Sequence, residues 1–124
     1  MPTRRAMSDV PDDVVPRLAA ACRTGDVEAI EAVLDPEAVA VCDSGGRVPA
    51  PVLALRGTAE VAWLLHALLP GNDLTVESVN GRAGLVLRRT GRALAVIAVT
   101  CDHGRATALW VVLNPAKLRG WHHR

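Results

Sequence analysis

From Leu74 to Leu118 the apolar residues fall into four runs, separated by the breaks Asn80-Gly81, Thr90-Gly91 and His103-Gly104. This pattern predicts a meander of four antiparallel strands. Asn-Gly is a strong two-residue hairpin signal, because both residues accept positive φ; Thr-Gly and His-Gly fit the same role less strongly. The run "ALAVIAVTC", Ala93–Cys101, is apolar on both faces and suits a central, covered strand. Asn114-Pro115 closes the last strand, and "AKLRGW" forms a short tail expected to pack back.

Upstream the period changes. In "PDDVVPRLAAACRTGD", Val14, Leu18, Ala21 and Cys22 share a helical face, Asp12 or Asp13 caps the start, and Gly25 ends it. Pro16 is tolerable there only in the first turn. Asp26 caps a second short helix with the stripe Val27, Ile30 and Leu34, stopped by Asp35-Pro36. Ala38–Cys42 and Val52–Gly57 read as short strands around the turn-rich loop "DSGGRVPAP". Thr58 caps a third helix, in which Val61, Leu64, Leu65 and Leu68 line one face and Trp63, His66 and Ala67 the other. The order is α-α-β-β-α-β-β-β-β. It predicts an α+β fold, three helices packed on a curved, mostly antiparallel sheet, with a cone-shaped cavity between them. Residues 1–11 read as a flexible arm and 12–124 as one domain.

Composition narrows the chemistry. The chain has 124 residues, half of them hydrophobic, with no Phe, no Tyr and three Trp, so Val, Leu, Ile and Ala must build the core. Fourteen basic residues nearly cancel thirteen acidic ones, and the arginines are scattered. Neither a basic stripe nor stacking aromatics is present, which argues against direct nucleic-acid binding. No apolar run is long enough for a membrane span. Cys22, Cys42 and Cys101 have no zinc-like spacing and read as reduced thiols of a cytoplasmic protein, with no metal and no cofactor expected.

Three local motifs add a resemblance. They are Asp43-Ser44-Gly45-Gly46-Arg47-Val48, the segment Val79-Asn80-Gly81 with Gly84-Leu85-Val86-Leu87-Arg88, and Asn114-Pro115-Ala116-Lys117-Leu118. With the element order, they make the chain resemble the NTF2-like superfamily and its SnoaL-like branch. Over about residues 13–118 it is similar to the SnoaL-like extension that follows the DNA-binding regions of one group of extracytoplasmic-function sigma factors. Ser44, Arg47 and Ala116 depart from that pattern, where the extensions carry Gly, Lys and Asp. With about a dozen residues before the first helix, the polymerase- and promoter-binding regions of a sigma factor are not expected in this chain.

The resemblance also frames the candidate sites. Enzymes of the branch place Asp, His or Tyr inside the cone for acid–base work on a ketone or enol. Here "AVIAVT" and "ATALWVVL", the expected lining, hold none of these. The remaining acid–base candidates are Asp43, His66 and Asp102. Asp43 reads first as an Asx-turn residue ordering its loop and second as a carboxylate at the cavity mouth; Asp102 reads first as a solvated turn residue. Arg56, Trp63, His66 and Trp110 are candidates for a pocket or its rim. Arg56 reads first as a surface pair with Glu60 and second as a contact to an acidic ligand, Trp110 reads first as core packing and second as pocket wall, and His66 with Trp63 suits a subunit seam at least as well. His122 and His123 lack a third ligand for a metal. The expectation is a non-catalytic module, homodimeric through an exposed sheet face, that holds a small apolar ligand and acts on the transcription machinery through a partner protein. The alternative is an isomerase, cyclase or hydratase acting on a small hydrophobic ketone.

Overall fold

A computed structural model describes the backbone of residues 2–43 and 52–122 and the side chains of 13–43 and 54–122. The order is α1 (Pro2–Thr24), α2 (Val27–Val33), β1 (Leu34–Asp43), β2 (Val52–Arg56), α3 (Thr58–Leu68), β3 (Asp73–Val79), β4 (Arg82–Arg89), β5 (Arg92–Asp102), β6 (Arg105–Val112), α4 (Pro115–Leu118) and a 3-10 turn (Arg119–Trp121). The six strands form one curved, unclosed sheet in the order β2-β1-β6-β5-β4-β3. Among the described residues, only the β1–β6 pairing is parallel.

The meander follows from its turns. Asn80, Thr90 and His103 all have positive φ (55°, 49° and 52°), and so do Gly81, Gly91 and Gly104 after them. Positive φ at both central residues is the I′ geometry, whose twist matches that of the flanking strands. The closing pairs Val79–Arg82, Arg89–Arg92 and Asp102–Arg105 fix the register of all three hairpins.

Strand alternation then sorts the faces. Ala38, Ala40 and Cys42 of β1, Leu85 and Leu87 of β4, Ala95, Ile97 and Val99 of β5, and Leu109 and Val111 of β6 are buried on the inner face with α1, α2 and α3. From α3, Val61, Ala62, Leu64 and Leu65 join them, while Trp63, His66 and Ala67 face out as their spacing requires. Fully burying one such aliphatic side chain contributes about 1.5–3 kcal/mol, so this aliphatic wall is the main source of stability. Within β5, Ala93 and Val96 share the outer face although three residues apart. A register shift against β4 leaves Leu94 as the extra residue of a bulge and reverses the alternation.

The outer face is not bare. A fourth helix, absent from the expected order, lies in the tail, where Asn114 Oδ1 caps it by accepting from the Ala116 N–H at 3.0 Å. Leu118 is buried there against Val79, Val86, Ala93 and Val96, with Trp121 packed alongside. The tail thus packs back across the half of the sheet formed by β3, β4 and β5.

Other boundaries shifted for local reasons. Helix α1 starts at Pro2, ahead of the expected start at Asp12 or Asp13, so the backbone of the expected arm is helical from that residue. No glycine interrupts the stretch before Gly25, and proline is favoured at a first helical position. Pro16 therefore sits in the helix interior with its ring exposed, withholding one N–H from the ladder. Gly57, not Thr58, caps α3, and no side chain bonds there. Leu34 opens β1 rather than completing the α2 stripe, and Asp26 caps α2 by accepting from the Glu28 N–H at 2.9 Å.

Candidate functional site

Among the described residues, the strands of the concave wall carry no ionisable side chain other than the Cys42 and Cys101 thiols. That follows from strand parity: on β5 and β6 every inward position from Ala95 to Val99, and both Leu109 and Val111, is Ala, Val, Leu or Ile. Burial pushes the Cys22 thiol up to about 11 and raises that of Cys42, so neither is a thiolate nucleophile near neutral pH. Cys101 is half-buried.

A cleft of about 780 Å³ opens beside this wall, where the C-terminal ends of α1 and α3 meet the start of β3. Cys22, Leu69 and Leu74 give it an apolar floor, and Arg23, His66, Asp73 and Arg88 contribute polar groups. Arg23 is held in place by donating to the Leu74 carbonyl at 2.9 Å. Asn72 shapes the rim, donating to the Leu68 carbonyl at 2.6 Å and accepting from Arg89 Nε at 3.1 Å.

The candidates from the sequence are scattered. Asp43 is buried, and its carboxylate accepts from Lys117 Nζ at 2.7 Å. Its backbone carbonyl also accepts from the Leu113 N–H at 2.8 Å. The loop motif and the Asn-Pro-Ala-Lys-Leu tail motif are therefore tied to each other, through Asp43 and Lys117. Residues 44–51, including Gly45, Gly46 and Arg47, lie outside the described residues. Asp102 is exposed in its hairpin turn, 3.5 Å from His103. Asn80 and Gly81 form the first hairpin turn, and Pro115 opens α4.

Of the four pocket candidates only His66 lines the large cleft, and its side chain is exposed at the rim. Trp63 is 64% exposed on the outer side of α3. The backbone N–H of Arg56 donates to Glu60 Oε1 at 3.1 Å, a bond from backbone to side chain just ahead of α3 rather than a pairing of two charges. Trp110 does not pack in the core. Leu109 and Val111 take the inner face, so Trp110 between them points outward, 45% exposed, beside a groove of about 140 Å³ shared with Val79, Lys117 and Trp121.

The most constrained polar group is Arg88, which the sequence reading assigned no role beyond its place in a motif. It is 5% exposed. Its guanidinium meets Glu77 in a bidentate pair, donates to Thr75 Oγ1 at 3.3 Å, and donates from Nε to the Trp121 carbonyl at 2.8 Å. The signal was an arginine inside the apolar run of β4, where burial requires a paired partner. Arg88 and Asp43 are the two buried charged residues among those described, and each holds the tail to the sheet.

No family model matches the chain. It is 35% identical over 124 aligned residues to the extracytoplasmic-function RNA polymerase sigma factor SigJ of Mycobacterium tuberculosis, covering 88% of this chain and 39% of that protein. The crystal structure of SigJ superposes with a TM-score of 0.65 at 30% identity, over 94% of this chain and 47% of that one. The chain has the fold of NTF2-like proteins. An NTF2-like protein of Burkholderia xenovorans matches over nearly its whole length, 94% of this chain and 96% of that one, at TM-score 0.62 and 14% identity. TerC, crystallised with polyporic acid, matches at TM-score 0.62 and 19% identity, over 90% of this chain and 97% of that one. At those identities the last two speak for the fold alone. The SigJ match adds a relation to the SnoaL-like domain of a sigma factor, of whose length this NTF2-like chain spans less than half.

Proposed function

We propose that this NTF2-like chain is a non-catalytic module that works by association. It pairs with a second copy through the part of the outer sheet face left open by the tail, around Trp110. It holds a small, largely apolar ligand in the cleft at the mouth of the cup, and acts on the transcription machinery through a partner protein in the cytoplasm. The observation that carries this reading is the inner wall. Its described strand residues are aliphatic apart from the Cys42 and Cys101 thiols, while the buried charges Asp43 and Arg88 are spent on ion pairs with Lys117 and Glu77. Proton abstraction beside a carbonyl needs a base within hydrogen-bond reach and donors for the oxyanion. Of the three acid–base candidates, His66 lines the cleft, Asp102 lies in a distant turn, and Asp43 is engaged by the tail. The relation to SigJ supports a regulatory setting, and the TerC complex supports the fold as a host for small organic molecules.

Light scattering coupled to size exclusion tests the association. A dimer at micromolar concentration is expected, and a clean monomer overturns the reading. Incubation with small cyclic ketones in deuterated buffer separates it from the isomerase, cyclase or hydratase alternative. Exchange at the α-carbon above the buffer rate, lost in His66→Ala, would favour the enzyme.

A further inference from the structure

A second cavity, away from the cup, has a different chemistry. β6 ends at Val112, which pairs with Val96, whereas β5 already begins at Arg92. The first residues of β5 therefore run past the end of their neighbour. The chain leaves β6 at Leu113, turns through α4 and returns with the 3-10 turn to His122, whose Nδ1 accepts from the Ala93 N–H at 2.8 Å. The notch so formed has a volume of about 510 Å³ and is lined by Arg92, Asn114, Arg119 and His122 among apolar residues.

Its polar groups are all poised to donate. The side chains of Arg92 and Arg119 have no hydrogen bond or ion pair among the described residues, and no Asp or Glu among those residues lines the notch. Because His122 Nδ1 accepts a hydrogen bond, the neutral ring carries its proton on Nε2, leaving that N–H as the free donor. Asn114 Oδ1 is occupied by the Ala116 N–H, so its amide nitrogen is the part still free to bond. Two guanidiniums, an imidazole N–H and an amide N–H present more donors than one carboxylate can satisfy. They match the several oxygens of a tetrahedral oxyanion, which arginine recognises through paired N–H groups.

We propose that this notch binds a phosphoryl group, as inorganic phosphate or as the terminal phosphate of a small monoester. The bound anion bridges Arg92 at the start of β5 to Arg119 and His122 on the tail, and so locks the tail onto the sheet. The site is independent of the association proposed above, because it uses neither the cleft nor the face around Trp110.

Isothermal titration of the full chain with inorganic phosphate, against sodium chloride of equal ionic strength, tests it. Saturable binding to phosphate is expected, with a rise in Tm that chloride does not reproduce. Arg92→Ala and Arg119→Ala should each weaken binding about ten-fold, about the loss of one charge-assisted contact. Arg82→Ala, at the opposite end of the meander and not lining the notch, should leave it unchanged. In nitrogen–proton correlation spectra of the unaltered chain, phosphate should shift the Ala93 amide, which keeps the test valid if a variant fails to fold. Glucose 6-phosphate forms the second arm. Tighter binding than phosphate identifies a monoester as the ligand, and equal binding identifies the free ion. Equal responses to phosphate and chloride, an unmoved Ala93 amide, or undiminished binding by a folded double variant would each overturn the proposal.

Discussion

Replacing Arg88 with methionine keeps the aliphatic stem and removes all the donors. Glu77 then loses a bidentate partner and the Trp121 carbonyl loses its N–H at 2.8 Å. Removing one member of a buried pair costs about 3–5 kcal/mol, because the other charge is left uncompensated. Two features lower that figure here. The Glu77 side chain is 29% exposed against 6% for Arg88, and Thr75 Oγ1 still donates to it at 2.6 Å. The expected cost of Arg88→Met is therefore about 2–3 kcal/mol. Glu77→Gln in the same background removes the orphaned charge and should recover about 1 kcal/mol, giving a coupling well above the error of a double-mutant cycle. Urea unfolding followed by far-ultraviolet circular dichroism supplies the free energies. In a Trp63→Phe, Trp110→Phe background the emission of Trp121 reports the tail, and it should shift to the red in Arg88→Met at urea concentrations where the sheet is still intact. A loss below about 0.5 kcal/mol, or two strictly additive substitutions, would refute the view that this pair anchors the tail.

Three further outcomes follow from local geometry. A Cβ on Gly84 would lie 2.6 Å from both the Ile97 carbonyl oxygen and Val79 Cγ2, so Gly84→Ala should destabilise by about 2–3 kcal/mol in urea unfolding, and a neutral result would contradict the packing. Thr90 is a β-branched residue at φ 49°, where Asn is better tolerated, so Thr90→Asn should raise Tm by a few degrees; a fall would refute the turn assignment. The Cys22 thiol is raised from 9.0 to about 11 in the folded state, so the folded form binds more protons between those values. Stability is thus fully retained below pH 9 and lost as pH rises towards 11, by up to about 2–3 kcal/mol, and Cys22→Ala should flatten that slope.

Much of the fold was legible because its signals are local. Positive-φ turn pairs and period-2 runs specify the meander without help from the rest of the chain. The stripe Val61, Leu64 and Leu65 likewise specifies the buried face of α3. What was not legible depends on partners distant in sequence. Nothing near Asp43 announces Lys117, 74 residues on, and nothing near Arg88 announces the Trp121 carbonyl. The outward turn of Trp110 depends on the parity of β6, which an apolar run on both faces leaves open. The grouping of Arg56, Trp63, His66 and Trp110 failed to form one pocket because they sit on different elements and faces. The continuation of α1 back to Pro2 was hidden by Pro16, which was expected only in a first turn.

Association through the open sheet face is tested most directly by sedimentation velocity of the unaltered chain and of Trp110→Arg at the same micromolar concentrations. Twice the mass of one chain is expected for the first and the mass of one chain for the second, with identical circular dichroism. An unaltered chain that sediments as a monomer, or a variant that still pairs, would contradict it.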